Sequence, residues 1–179
     1  MDPEPVILLA SLVMQSDARL RDQLVGWLAQ HGKHLSVSRL SGLLKQSSQV
    51  LRERFSMVAV TVQAAGGPRL PTPVNAQPWA RRPEGKPRRL PVERPALVRL
   101  RLRALSGVGA RADVLAELLS RAGRWTRTVD LSGVGYSKRS IAAVLSELAD
   151  AGLVERMAQG NAHQFRIRRP EQLSDVVAD

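Results

Sequence analysis

The chain reads as a mainly α protein with an amino-terminal helical domain and a carboxy-terminal domain whose helices lead into a small β-hairpin. Three observations predict this. Only 3% of the 179 residues are aromatic, so the core must be built from Leu, Val, Ala and Ile, a mixture that favours helices over strands. Apolar residues recur at helical spacing through residues 1–65 and again through 94–151. Between them, Pro at positions 68, 71, 73, 78, 83, 87 and 91, with Arg interspersed, leaves no apolar period, and residues 66–93 read as a Pro/Arg-rich linker, extended or disordered.

In the amino-terminal domain, Pro3 and Pro5 start a helix with Val6, Leu9, Leu12 and Val13 as its apolar residues. Ser16 or Asp17 caps a second helix carrying Leu20, Leu24, Trp27 and Leu28 and ended by Gly32. A third follows Ser36, with Val37, Leu40, Leu43 and Leu44. A fourth starts near Ser48. It is expected to end before Gly66, with a strand as the alternative for its tail, residues 58–62, which is rich in β-branched side chains. Within the linker, Trp79 is a candidate for docking on a neighbouring surface.

The carboxy-terminal domain spans residues 94–169. Residues 95–105 predict a helix with Leu97, Leu100 and Leu105 apolar and Arg99, Arg101 and Arg103 outside. Residues 111–122 predict another with Val114, Leu115, Leu118 and Leu119 buried, ended by Gly123. A short helix at 128–132 follows, anchored by Val129 and Leu131. Ser137 then caps a helix to Ala151 in which Ile141, Val144, Leu145 and Leu148 fall at i, i+3, i+4 and i+7. Lys138, Arg139, Ala142, Ala143 and Ser146 therefore face outward. Helix, glycine turn, then a helix with a basic start is the helix-turn-helix pattern. Gly152 stops that helix, and residues 153–157 and 163–168 predict a hairpin around Gly160, the wing.

The GARADVL stretch at 109–115, GYSKRS at 135–140 and AGLVE at 151–155 together resemble bacterial winged helix-turn-helix transcriptional regulators of the MarR and ArsR kind. The resemblance covers residues 94–169 and implies a DNA-binding regulator of transcription. It does not extend to the metal chemistry of the arsenic sensors, whose cysteine ligands are missing from a chain with no cysteine.

Charge agrees with that expectation. The formal net charge is +11, and residues 66–103 hold 10 Lys and Arg against 2 acids while residues 121–170 hold 9 against 4. Basic stretches that acids avoid are the footprint of a polyanion binder. Ser137, Lys138, Arg139 and Ser140 sit at the end of the helix that reaches base edges first, and Ala143 leaves room for a thymine methyl. In the wing, Arg156, Gln159, Asn161, His163, Arg166 and Arg168 are candidates for backbone or minor-groove contacts. The linker residues Arg81, Arg82, Lys86, Arg88 and Arg89 form either a minor-groove arm or a solvated tether. The partner expected is double-stranded DNA, bound by a homodimer.

Other chemistry is not expected. Trp125 and Tyr136 read as structural. His31 and His34 are three apart, but no carboxylate or thiolate completes a metal site. The two SGVG copies, at 106–109 and 132–135, do not continue into a phosphate loop. Asp113, Glu117 and Glu147 are expected on exposed helix faces, so neither an enzyme nor a cofactor is predicted. The longest apolar run, residues 6–10, is too short to span a bilayer and follows acidic residues, so neither a membrane segment nor a signal peptide is expected and the location predicted is cytoplasmic, on the nucleoid. The alternative function is an antitoxin-like or other protein-binding partner, gripping another protein through residues 1–65 while the winged helix serves autoregulation. The layout resembles bacterial proteins that accompany nucleotidyltransferase-type toxins. A winged helix used for protein contacts alone is a third option, and the basic helix start argues against it. Residues 170–179 form an acidic tail.

Overall fold

The computed structural model describes residues 2–79, 97–121, 123–160, 162–169 and 171. The described residues are mainly helical, with one small antiparallel sheet, and the chain divides into two compact units, Asp2–Leu90 and Pro91–Asp179. Among these residues no helix is long and apolar enough to cross a membrane.

The amino-terminal unit contains α1 (Pro3–Val13), α2 (Ala18–His31), a 3-10 turn at Gly32–His34, α3 (Val37–Lys45) and α4 (Gln49–Ala64). Local chemistry sets the starts. Asp17 Oδ1 accepts the Leu20 amide at 3.0 Å, and the hydroxyls of Ser36 and Ser48 accept the amides of Arg39 and Leu51, each satisfying one donor that the first turn leaves open. The core joins Ile7 and Leu8 to Leu24, Val25, Leu28, Leu40, Leu44, Phe55, Val58, Ala59 and Val62. Residues 58–62 are helical: Val58 and its neighbour Ala59 face inward together with Val62, one turn on, which a strand's alternation would not allow.

The face of α1 differs from the expectation. Ile7, Leu8 and Ser11 are buried, while Val6, Leu9 and Val13 are 45%, 62% and 58% exposed. Residues 5–10 are all apolar, so periodicity alone cannot choose a face, and two polar groups decide it. Glu4, wholly buried, accepts the Ser36 amide at 2.8 Å and an Arg39 N–H at 3.4 Å, while Arg39 also donates to Asp2 at 2.6 Å. Ser11 satisfies its hydroxyl on the Ile7 carbonyl at 2.8 Å. Val37 at the head of α3 is likewise 50% exposed, whereas Arg39, Leu40 and Leu44 are buried.

The expected linker does not begin at Gly66. Residues 67–79 pack along the helices: Leu70 is in the core, the Val74 amide donates to Ser56 Oγ, and the Trp79 amide donates to Thr61 Oγ1. Trp79 docks as expected, with the Arg21 guanidinium 5.5 Å from its ring centre. Gly67 permits the close approach, since a Cβ there would lie 2.7 Å from the Ala29 Cα. Residues 80–96, including the linker arginines and Pro95, lie outside the described residues.

The carboxy-terminal unit runs α5 (Val98–Ser106), α6 (Ala110–Ser120), β1 (Thr126–Arg127), a 3-10 segment at Thr128–Val134, α7 (Lys138–Asp150), β2 (Val154–Gln159) and β3 (Ala162–Ile167). The sheet order is β1-β3-β2, all antiparallel, with Thr126 opposite Phe165 and Val154 opposite Ile167. The two-residue β1 is too short to signal itself in the sequence. Val114, Leu115, Leu118, Leu131, Val134, Ile141, Leu145, Leu148, Val154, Phe165 and Ile167 form the core. Leu131 anchors the 3-10 segment as expected, but Val129 is 48% exposed and Val134 takes the second inward position.

Two corrections concern charge. Arg101 and Arg103 are buried, at 9% and 1% exposure, whereas Leu105 is 65% exposed. Asp113 is wholly buried rather than on a solvated face, while Glu147 is exposed and Glu117 half-buried. The reason is a ladder across the helix hairpin: Arg103 pairs with Asp113 at 2.8 Å, and Arg99 reaches Glu117 at 3.9 Å. Two arginines one turn apart on α5 meet two acids one turn apart on α6, which accounts for the burial of Arg103 with Asp113. Arg101 takes no part in this ladder, and its Nη1 is buried without a hydrogen-bond partner among the described residues.

Candidate nucleic-acid interface

The basic helix of the expectation is α7, and its start is built by three consecutive devices. Gly135 adopts φ 80°, ψ 24°, the left-handed conformation that costs glycine least. Tyr136 follows, half-buried against the core, with its hydroxyl donating to Asp113 Oδ2 at 3.0 Å. Ser137 then caps the helix, its hydroxyl accepting the Ser140 amide at 3.1 Å. The preceding 3-10 segment is capped in turn by Asp130, which accepts the Arg127 amide at 2.9 Å. That backbone N–H, aided by the Arg127 and Arg121 guanidinium charges, holds the Asp130 carboxyl below its ordinary range.

Lys138, Arg139, Ala142 and Ala143 are exposed on α7, and Ser146 is half-buried. Neither Lys138 nor Arg139 has an ion-pair partner among the described residues. This contrasts with the far end of the helix, where Glu147 is held at 2.6 Å by Arg111. Two open cations at a helix amino end, where the helix dipole also favours an anion, make a surface suited to phosphate or to base-edge acceptors. Ser137 and Ser140 are exposed but partly committed, their hydroxyls 2.8 Å apart. Two hydroxyls sharing one hydrogen bond still leave one O–H free to donate outward.

The hairpin residues do not form one set. Paired residues of an antiparallel ladder project to the same side, and neighbours alternate. Arg156 stands opposite Phe165 and Ala158 opposite His163, so Arg156 and His163 share the core-facing side of the hairpin, yet both are exposed. Gln159, Arg166 and Arg168 project from the other side. There Arg166 is engaged, 2.5 Å from Glu155 Oε2 and with its guanidinium 4.6 Å from the Trp125 ring centre. Arg168 is 3.8 Å from the same carboxylate, and Gln159 bonds Gln164 across the ladder. Asn161 lies outside the described residues. Trp125 therefore acts as a platform for Arg166 rather than as a core residue.

The sequence reading missed the Arg103–Asp113–Tyr136 network. A signal was present, in the spacing of Arg99 and Arg103 against Asp113 and Glu117 around one turn. Among the described residues no three His, Asp or Glu side chains gather as a metal-binding group. Compared with protein-family models, curated proteins and solved structures, the chain matches none of them.

Proposed function

We propose that the carboxy-terminal unit is a winged helix-turn-helix domain and that the protein is a sequence-specific DNA-binding regulator of transcription, working without catalysis on the nucleoid. In this reading α7 enters the major groove, β2 and β3 form the wing, and the α6–α7 connection is the helix-turn-helix. The observation that carries it is the open pair Lys138 and Arg139 at the amino end of a helix whose next exposed positions, Ser140, Ala142 and Ala143, are small. Arg139 is suited to two hydrogen bonds with a guanine, worth about 1–3 kcal/mol against a wrong base. Arg156 and His163 are the wing residues best placed to touch DNA, because the other described candidates there are held within the hairpin.

The test is duplex binding by the full chain as a function of salt. The expected log–log slope is near −0.9 per phosphate contacted, with preference for a selected sequence over random duplex. Replacing Lys138 and Arg139 together by Ala should abolish the preference, and an unchanged preference would sink the assignment of α7.

The reading includes a homodimer on a two-fold site. The support is α1, which between Pro5 and Val13 carries no charge yet exposes Val6, Leu9 and Val13. Two copies of a strongly basic chain can meet on that strip without like-charge repulsion. Sedimentation should find a dimer, and Leu9→Glu should shift it to monomer; a monomeric parent protein would reject this part.

A further inference from the structure

We infer that Tyr136 is a positioning residue, its hydroxyl aligning the reading end of α7 on a charge buried elsewhere in the domain; the consequence for DNA rests on the function proposed above. Arg103 donates from Nε to Asp113 Oδ1 at 2.9 Å and from its terminal nitrogen to Oδ2 at 2.8 Å, and both side chains are fully buried. This paired carboxylate is a fixed point within the packed α5–α6 hairpin. Tyr136 Oη reaches the same Oδ2 at 3.0 Å. One peptide bond separates Tyr136 from Ser137, the cap of α7, and Lys138 and Arg139 come directly after. The hydroxyl's bond therefore adds to the ring's packing and the Gly135 amide bond to Ser132 a directional restraint on where the helix begins.

The arrangement separates positioning from folding. Removing the Tyr136 hydroxyl leaves Asp113 still holding both hydrogen bonds from Arg103, so no buried charge is orphaned. The ring that packs on the core stays in Tyr136→Phe. What is lost is the tether, and a binding group displaced by a fraction of an ångström loses its directional hydrogen bonds before its Coulomb attraction.

The experiment compares the full chain with Tyr136→Phe in two measurements. Backbone amide exchange should quicken at Ser140 and Ile141, the amides bonded to Ser137, while α5 and α6 amides keep their protection. In duplex binding, the affinity ratio of selected over random sequence should fall by about tenfold, with the salt slope unchanged. Unchanged exchange in the first turn of α7 would overturn the inference whatever the DNA result, and so would global unfolding, which would make the hydroxyl part of the fold. If the parent chain shows no sequence preference, the proposed function fails while the exchange measurement still decides the tether. Equal losses on selected and random duplex would also overturn it, since misalignment should spare the phosphate attraction.

Discussion

Arg103 and Asp113 form a two-point ion pair with no exposed side-chain surface on either partner. The pair joins α5 to α6, and Asp113 Oδ2 also accepts from the Tyr136 hydroxyl. Burying two charges is costly, and the attraction repays it only when every hydrogen bond is met, so such a pair is sensitive to the loss of one member.

Asp113→Leu should therefore destabilise the carboxy-terminal unit by about 3–5 kcal/mol, leaving the Arg103 charge buried without its carboxylate. The double change Arg103→Met with Asp113→Leu should cost far less than the sum of the single changes. Urea unfolding of the four proteins checks this, and additive losses would contradict the pairing.

Gly67 and Gly26 should respond in opposite directions to alanine. A Cβ at Gly67 would lie 2.6 Å from Val62 Cγ1 and 2.7 Å from the Ala29 Cα, whereas one at Gly26 meets nothing within 4 Å. Gly67→Ala should cost about 1–3 kcal/mol by overpacking. Gly26→Ala, inside α2, should add up to about 1 kcal/mol by lowering the entropy of the unfolded chain. Thermal melts of both variants test the close approach of residues 67–79 to the helices.

Asp130 should titrate below the ordinary aspartate value of about 3.9, because the Arg127 amide donates to its charged form. A folded-state value depressed below the unfolded one stabilises the protein above the unfolded value, and that contribution disappears as pH falls through the folded value. Asp130→Asn should remove this part of the acid dependence. The carboxyl carbon shift of Asp130, followed by NMR, reads the titration directly.

Arg139 and Arg166 should separate binding from stability. Arg139 is exposed and makes no ion pair among the described residues, so Arg139→Ala should weaken duplex binding with thermal stability unchanged. Arg166 bridges Glu155 and Trp125, so Arg166→Ala should lower stability by about 1 kcal/mol and leave sequence preference nearly intact. The opposite pattern would place the contact surface on the outer side of the hairpin.

What could be read from sequence differs by element. The caps Asp17, Ser36, Ser48 and Ser137 and the inward stripe of α7 were legible because capping and helical period act within one turn. Of the candidate cations of α7, Arg139 was legible for the same reason, since it lies opposite Ile141, Leu145 and Leu148. Lys138 falls three residues before Ile141 on their own stripe, and its exposure at the first turn was not fixed by period. In α1, by contrast, an unbroken apolar run carries no phase, and the orientation came from Glu4 and Arg39, 35 residues apart. The availability of the hairpin candidates was not legible, since the cross-strand register that pairs Arg166 with Glu155 is not visible in either strand alone.

The sequence by itself determined the mainly α character, the starts of the capped helices, the hairpin, and the basic amino end of α7. Only the tertiary structure decided which charges are withdrawn from solvent: Arg103 and Asp113 into the helix hairpin, Glu4 and Arg39 into the amino-terminal core, Arg166 onto Trp125. The physical reason is range. Capping and periodicity are settled among residues a few positions apart, whereas the burial of a charge depends on a partner that folding brings from a distant position.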